Sequence, residues 1–212
     1  MQLEFTLTVQ GPGTARPGGR TARTRAAVIQ AVIDELTEHG YADTTVERVA
    51  ARAGIAKTTI YRRWRSLDGL LADVMAERAE QQIPVPDEGD LGSDLRALAR
   101  SVVASVQPPA IRAAFAGIVA AAVQDPAARK VLSRFLAARV ATMTVIIDRA
   151  TLRGELPPGT DATGVIRTVT ALIYYQLFIA GEPASQDVAD SAAATAAAAA
   201  RAGALATRKP LE

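Results

Sequence analysis

The chain contains no cysteine among its 212 residues and one histidine, and only 4% of it is aromatic. Without cysteine, disulfides and thiolate chemistry are excluded, which suits the reducing cytoplasm where the protein is expected to work. The lone histidine, His39, falls at what reads as a helix C-terminus, where an imidazole suits the helix dipole better than proton transfer. There is no glycine-rich phosphate loop and no clustered set of metal ligands. Asp87, Glu88 and Asp90 lie together in a Pro/Gly segment and read as solvated carboxylates. An enzyme, a metal site and a bound cofactor are therefore not expected. Nor does the sequence open with a basic segment ahead of an apolar one, as an export signal would. The most apolar run, Val165 to Ala180, carries Arg167 and Gln176 and is shorter than the ~20 residues of a membrane span. It reads as a buried helix, so no membrane partner is expected.

Alanine and aliphatic side chains take the place of the missing aromatics. An apolar fraction of 49% permits a large core, and small aliphatic residues suit close-packed helices better than sheets. The fold class expected is all-α, with about nine helices. Charge is uneven: ten basic and five acidic residues lie between Thr14 and Arg65, against 14 and 16 from Ser66 onward. A basic head on a near-neutral body is suited to meeting a polyanion.

Residues 1–20, with six Gly and Pro between Gly11 and Gly19, read as a flexible basic arm. Helix 1 follows from about Thr24 to His39, with Val28, Ile29, Val32, Ile33 and Leu36 at helical spacing. Gly40 is placed to end it. Thr44 and Glu47 fit a capping box opening helix 2, whose buried side is Val46, Val49, Ala50 and Ala53. Gly54 makes a turn, and helix 3 runs from about Lys57 to Trp64, burying Ile60 and Trp64. Ser66 reads as the N-cap of helix 4. After a break at 83–90 the pattern stays helical: about Leu91 to Val106, on to Val123, a long helix to Arg153, another to Ala180, and a last helix from Gln186 carrying the alanine run 192–206. These segments suggest an arm at 1–20, a head at 21–66, and a regulatory and dimerisation body at 67–212.

Helices 2 and 3 with their glycine turn make a helix-turn-helix, in which one helix braces across the DNA backbone and the next enters the major groove. Thr44 or Thr45 offers a hydroxyl to phosphate. Lys57, Thr58, Thr59 and Arg62 occupy the exposed side of helix 3, and Tyr61 and Arg65 are placed to clamp the backbone. Phosphate contacts position such a helix, and contacts to base edges specify sequence.

From about Arg23 to Met75 the chain resembles the DNA-binding domain of the tetracycline-repressor family of bacterial transcription regulators. The resemblance rests on HGY closing helix 1, TTVERVAARAGI, and KTTIYRRWRSLDGLL. It implies a homodimeric, ligand-released repressor that binds a palindromic operator in double-stranded DNA. It also implies an all-helical body for an unidentified small-molecule effector. Ala56 departs from the serine that often caps helix 3 in that family, and Leu67 from a common lysine. The expected dimer seam is the last two helices: one rich in Val165, Ile166, Val169, Leu172, Ile173 and Leu177, the other in alanine. For the effector, the bulkiest side chains of the body, Phe115, Met143, Ile147, Tyr174 and Phe178, are the candidate pocket lining, with Phe135 as a further aromatic. Arg112, Arg139 and Arg167 are candidates to face an anionic ligand, with solvated or interface roles as the alternative.

Overall fold

The structure, a computed structural model, describes residues 19–80 and 84–207. The arm expected over residues 1–20 therefore lies outside the described residues except at its last two positions. Nine α-helices are present among the described residues, with no sheet and one isolated bridge between Thr160 and Ala206. They are α1 (Arg20–Asp43), α2 (Val46–Ala53), α3 (Lys57–Trp64), α4 (Leu67–Glu80), α5 (Leu91–Val106), α6 (Pro109–Gln124), α7 (Pro126–Leu152), α8 (Ala162–Tyr175) and α9 (Gln186–Arg201). A π-helical stretch, Gln176–Ala180, prolongs α8.

Local chemistry sets most of these ends. The side chains of Asp90, Asp125, Asp161 and Ser185 each accept a backbone N–H in the first turn of α5, α7, α8 and α9, a contact worth about 1 kcal/mol. Gly54 ends α2 at φ 65, a left-handed conformation that favours glycine. Helical dihedrals break at Gly40, so the regular part of α1 stops where the sequence places its end. The capping box is displaced by one residue. Thr45, not Thr44, caps α2 by accepting from the Arg48 N–H, whereas Thr44 is buried and donates its hydroxyl to the Gly40 carbonyl at 2.6 Å. α9 also stops earlier than the alanine run, at Arg201.

The apolar residues gather into two cores. The first joins Val28, Val32 and Leu36 of α1, Val49 of α2, Ile60 and Trp64 of α3, and Leu70, Leu71 and Val74 of α4. Ala114, Phe115 and Ile118 of α6 and Ala128 of α7 also belong to it. α4 sits tightly on α3: a Cβ on Gly69 would collide with the Trp64 carbonyl, so only glycine fits there. The second core packs α5, the C-terminal half of α7, α8 and α9.

This second core takes up many of the side chains expected at the dimer seam. Ala189, Ala192, Ala193, Ala196, Ala197 and Ala200 all point inward, where their small size lets α9 lie close against α5 and α8 of the same protomer. Val165, Ile166, Val169 and Ile173 are buried there too, and Leu177 packs against them. The outward face of α8 and its extension instead carries Leu172, Tyr175 and Ile179, 40%, 56% and 71% exposed. The span Ala162–Ala180 is long and apolar enough to cross a membrane by length and composition, yet only 22% of its apolar window is buried within the protomer. It is thus a half-covered helix rather than the fully buried one expected from the sequence.

Candidate DNA-binding face and internal cavity

α3 is held from behind by a polar brace. Arg25 of α1 donates to both carboxylate oxygens of Asp73 on α4 at 2.9 Å, and the Trp64 indole N–H donates to the same carboxylate at 2.9 Å. Burial pushes the Asp73 carboxyl up, but the hydrogen bonds from Arg25 and Trp64 outweigh it and hold it below its ordinary value. A second brace ties α2 to α1. Glu35, 4% exposed, accepts from Arg48 at 2.7 Å and from Arg52 at 2.6 Å, and Arg52 also pairs with Glu38. The hydrogen bond from Arg48 lowers the Glu35 carboxyl most, against its burial, and Arg52 adds to the effect. His39 lies beside this group, with Nε2 3.6 Å from Glu38.

These pairs sort the positive charge of the head. Arg25, Arg48 and Arg52, three of the basic residues read as a DNA footprint, are committed to carboxylates. Lys57, Arg62, Arg63 and Arg65 make no ion pair among the described residues, and all are exposed. Arg63 stacks over the Trp64 ring at 4.9 Å, which directs it sideways. Apart from Arg23 near the start of α1, the unpaired cations whose side chains are described lie on and just after α3, so most of the free positive charge of the described head sits on one helix.

The outward surface there is made of Lys57, Thr58, Tyr61 and Arg62, with Thr59 half-buried at its edge and Thr45 exposed at the start of α2. Tyr61 donates to Glu47 at 3.0 Å, a bond that raises its pKa and keeps it protonated. Arg65 is the single non-glycine residue with positive φ among the described residues, at 66°, and its N–H closes α3 on the Tyr61 carbonyl. Such a conformation costs about 1 kcal/mol or more in a non-glycine residue. Ala56 supplies no side-chain cap to α3. Of the predicted DNA residues, Thr44 alone is withdrawn from the surface: its buried side chain cannot reach phosphate.

A cavity of about 460 Å³ lies between α4, α5, α6, α7 and α8. Phe115, Met143 and Tyr174 line it as predicted, together with Phe135 and Arg139 of α7. Ile147 does not. It is one turn beyond Met143, inside the body's packed core and 1% exposed. Phe178 is also off the wall, stacked against the Phe115 ring with centroids 4.8 Å apart. Arg112 is turned to the Gln107 carbonyl, and Arg167 faces outward. Sequence reasoning missed Ser101, Ser105 and Thr170. Two serines four apart on the apolar helix α5 were the available signal, since small polar residues on a buried face commonly border a void. Met75 of α4 and Phe115 of α6 each belong at once to the head's core and to the cavity wall.

Known proteins share this arrangement. Residues 85–196 match the family model described as "Tetracyclin repressor-like, C-terminal domain", and residues 28–74 match "Bacterial regulatory proteins, tetR family". The HTH-type transcriptional regulator AqdR of Rhodococcus erythropolis is 29% identical over 155 residues, covering 73% of this chain and 74% of AqdR. In fold, the chain is similar to Salmonella enterica GusR, at 18% identity and a TM-score of 0.66 over 89% of this chain and 98% of GusR. It is also similar to SmeT, solved in complex with triclosan, at 23% identity and a TM-score of 0.61 over 89% and 99% of the two chains.

Proposed function

The chain belongs to the tetracycline-repressor family of bacterial transcriptional regulators, and from that premise we propose that it is a ligand-released repressor, working in the cytoplasm as a homodimer on a palindromic operator. The observation that carries this reading is the outward face of α3, where Lys57, Tyr61 and Arg62 are exposed while other arginines of the head are tied into ion pairs. On it, Lys57, Thr58, Thr59 and Arg62 reach base edges and phosphates of the major groove, and Thr45, Tyr61 and Arg65 hold the backbone. The working division is a head over 21–66 and a body over 67–212, with α4 packed into both.

Two heads on one operator require a two-fold pair. The uncovered apolar strip of α8 (Leu172, Tyr175, Ile179), beside the exposed Ala194, Thr195 and Ala198 of α9, supplies a self-complementary seam between copies. Release by a small molecule is supported by the position of Met75 and Phe115. A ligand filling the cavity pushes on two side chains that also pack the head, so ligand and DNA each favour a different arrangement and oppose one another reciprocally. SmeT, of the same fold, is solved with triclosan, which supports a helical body of this kind accepting a small apolar guest.

Footprinting on the DNA around the protein's own gene tests this reading. The expected result is one discrete protected site with two-fold symmetry, lost in the Tyr61→Ala/Arg62→Ala double variant while its circular dichroism is unchanged. Uniform coverage of any DNA, or wild-type affinity in the double variant, would defeat it.

A further inference from the structure

The lining of the cavity is largely apolar, with Leu98, Val102, Ile111, Leu136, Val140 and Ile166 among its residues. What it can bind is therefore decided by the few polar groups in that wall. These are Ser101, Ser105, Arg139, Thr170 and Tyr174, with no carboxylate among them. Three of the five already have partners. Ser105 donates to the Val102 carbonyl of its own helix at 2.8 Å, and Thr170 points its hydroxyl between the Ile166 and Arg167 carbonyls, 3.2 Å from each. Arg139 stands over the Phe135 ring at 5.5 Å and has a further interaction besides, so it offers a guest no idle charge.

Tyr174 differs from these. Its ring is held against Phe115, with centroids 5.3 Å apart, but its hydroxyl makes no hydrogen bond among the described residues. Every fully covered side-chain nitrogen or oxygen among those residues has a partner, so this unpaired hydroxyl must touch open space. Burial is the main influence on it, pushing its pKa up and keeping it protonated, so the side chain is otherwise enclosed by protein. For an enclosed side chain that lines the cavity, that open space is the cavity itself. Ser101, half-buried on α5, also makes no side-chain hydrogen bond among the described residues. A serine hydroxyl can turn to a carbonyl of its own helix, however, whereas a phenol fixed to a packed ring cannot. An ion entering here would give up its water for a wall with no opposite charge to spare. A neutral molecule with one acceptor loses little and satisfies the phenol. At about 460 Å³ the cavity falls within the ~300–1000 Å³ of small-molecule sites.

We infer that the cavity takes a neutral, mainly apolar molecule with one hydrogen-bond-accepting oxygen, a ketone, ester or lactone, which receives the Tyr174 hydroxyl while the apolar wall covers the rest. The inference rests on the cavity being the effector site, and it adds the chemical class of the effector.

Isothermal titration without DNA tests it with three probes: benzophenone, diphenylmethane, which lacks the carbonyl, and 4-benzoylbenzoate, which adds a negative charge. Benzophenone should bind once per protomer, several-fold tighter than diphenylmethane and about tenfold or more tighter than 4-benzoylbenzoate. Tyr174→Phe, which keeps the ring, should bring benzophenone down to the affinity of diphenylmethane and leave diphenylmethane unchanged. Ser101→Ala should preserve the preference for the ketone. Equal binding of benzophenone and diphenylmethane to the wild type overturns the inference. So do binding of 4-benzoylbenzoate as tight as that of benzophenone, no binding of benzophenone up to its solubility limit, and a ketone preference that survives in folded Tyr174→Phe or is lost in folded Ser101→Ala. If benzophenone binds as described but leaves DNA affinity unchanged, the ligand class stands and the release reading falls.

Discussion

In the head, Val28, Val32, Ile60, Leu70, Leu71 and Val74 are fully buried around one tryptophan, and its helices are cross-braced by ion pairs. In the body, α9 packs on six alanines, and the helices around α5 and α7 part to leave a cavity walled by aromatic side chains. The two halves divide the work of packing. A helix that must present side chains to fixed points along a duplex needs a rigid backing, which large interlocking residues and paired charges provide. A part that must admit a guest needs unfilled volume, and close alanine contacts elsewhere in the bundle offset the packing that the void forgoes. Met75 and Phe115 are where the two designs meet.

Truncation should separate the halves most strongly. Ile60→Ala removes a side chain with no exposure from the head and should cost about 3 kcal/mol. Met143→Ala removes one that already borders empty space and should cost nearer 2 kcal/mol, with a larger cavity as the result. Urea unfolding should be followed by the fluorescence of Trp64, the only tryptophan, for the head and by circular dichroism for the whole chain. Similar losses for the two variants would remove the contrast.

Next in size is the joint between the halves. A Cβ on Gly117 of α6 would come within 2.5 Å of the Tyr41 ring at the end of α1. Gly117→Ala therefore displaces the head relative to the body, at about 1–3 kcal/mol. It should change operator affinity several-fold while leaving ligand binding intact. Unchanged affinity in a folded Gly117→Ala protein would show that the joint does not couple them.

Acid should act on the head through a smaller effect. Glu35 is held below its ordinary value of 4.5 in the folded head, so its ion pairs stabilise fully above that pH. That contribution disappears as pH falls through the lowered value, because the folded carboxylate must then take up a proton it resists. Trp64 fluorescence should show a head that loosens in acid, and Glu35→Gln should be less stable at neutral pH with a shallower acid dependence. A pH profile identical to the wild type would mean the brace is not stabilising.

Much of this was legible in the sequence, for reasons that differ by element. α3 and α5 start and stop where the spacing predicts, because a turn glycine, an N-cap aspartate and a proline pair bound them closely. The start of α2 was misread by one residue. Only Thr44 has a glutamate three residues on, so the pattern points to it, whereas its burial leaves the neighbouring Thr45 to cap the helix. Alanine gave no direction for α9, since a residue that small suits a neighbour in the same protomer as well as one in a partner. Met143 and Ile147 were picked out by their bulk, and bulk carries no information on where along α7 a void begins. The pairing of Arg48 and Arg52 with Glu35 joins residues 13 and 17 positions apart on different helices, which spacing within a single helix cannot reveal.

That pairing gives the most direct test of the central claim, that DNA meets the unpaired cations of α3 and not the paired ones behind it. Operator affinity should be measured at one salt concentration for Arg62→Gln and Arg52→Gln, each shown folded by Trp64 fluorescence. The account predicts a loss of about tenfold or more for Arg62→Gln, in the range of one lost base or phosphate contact, and near wild-type affinity for Arg52→Gln. The opposite order, or equal losses, would contradict it.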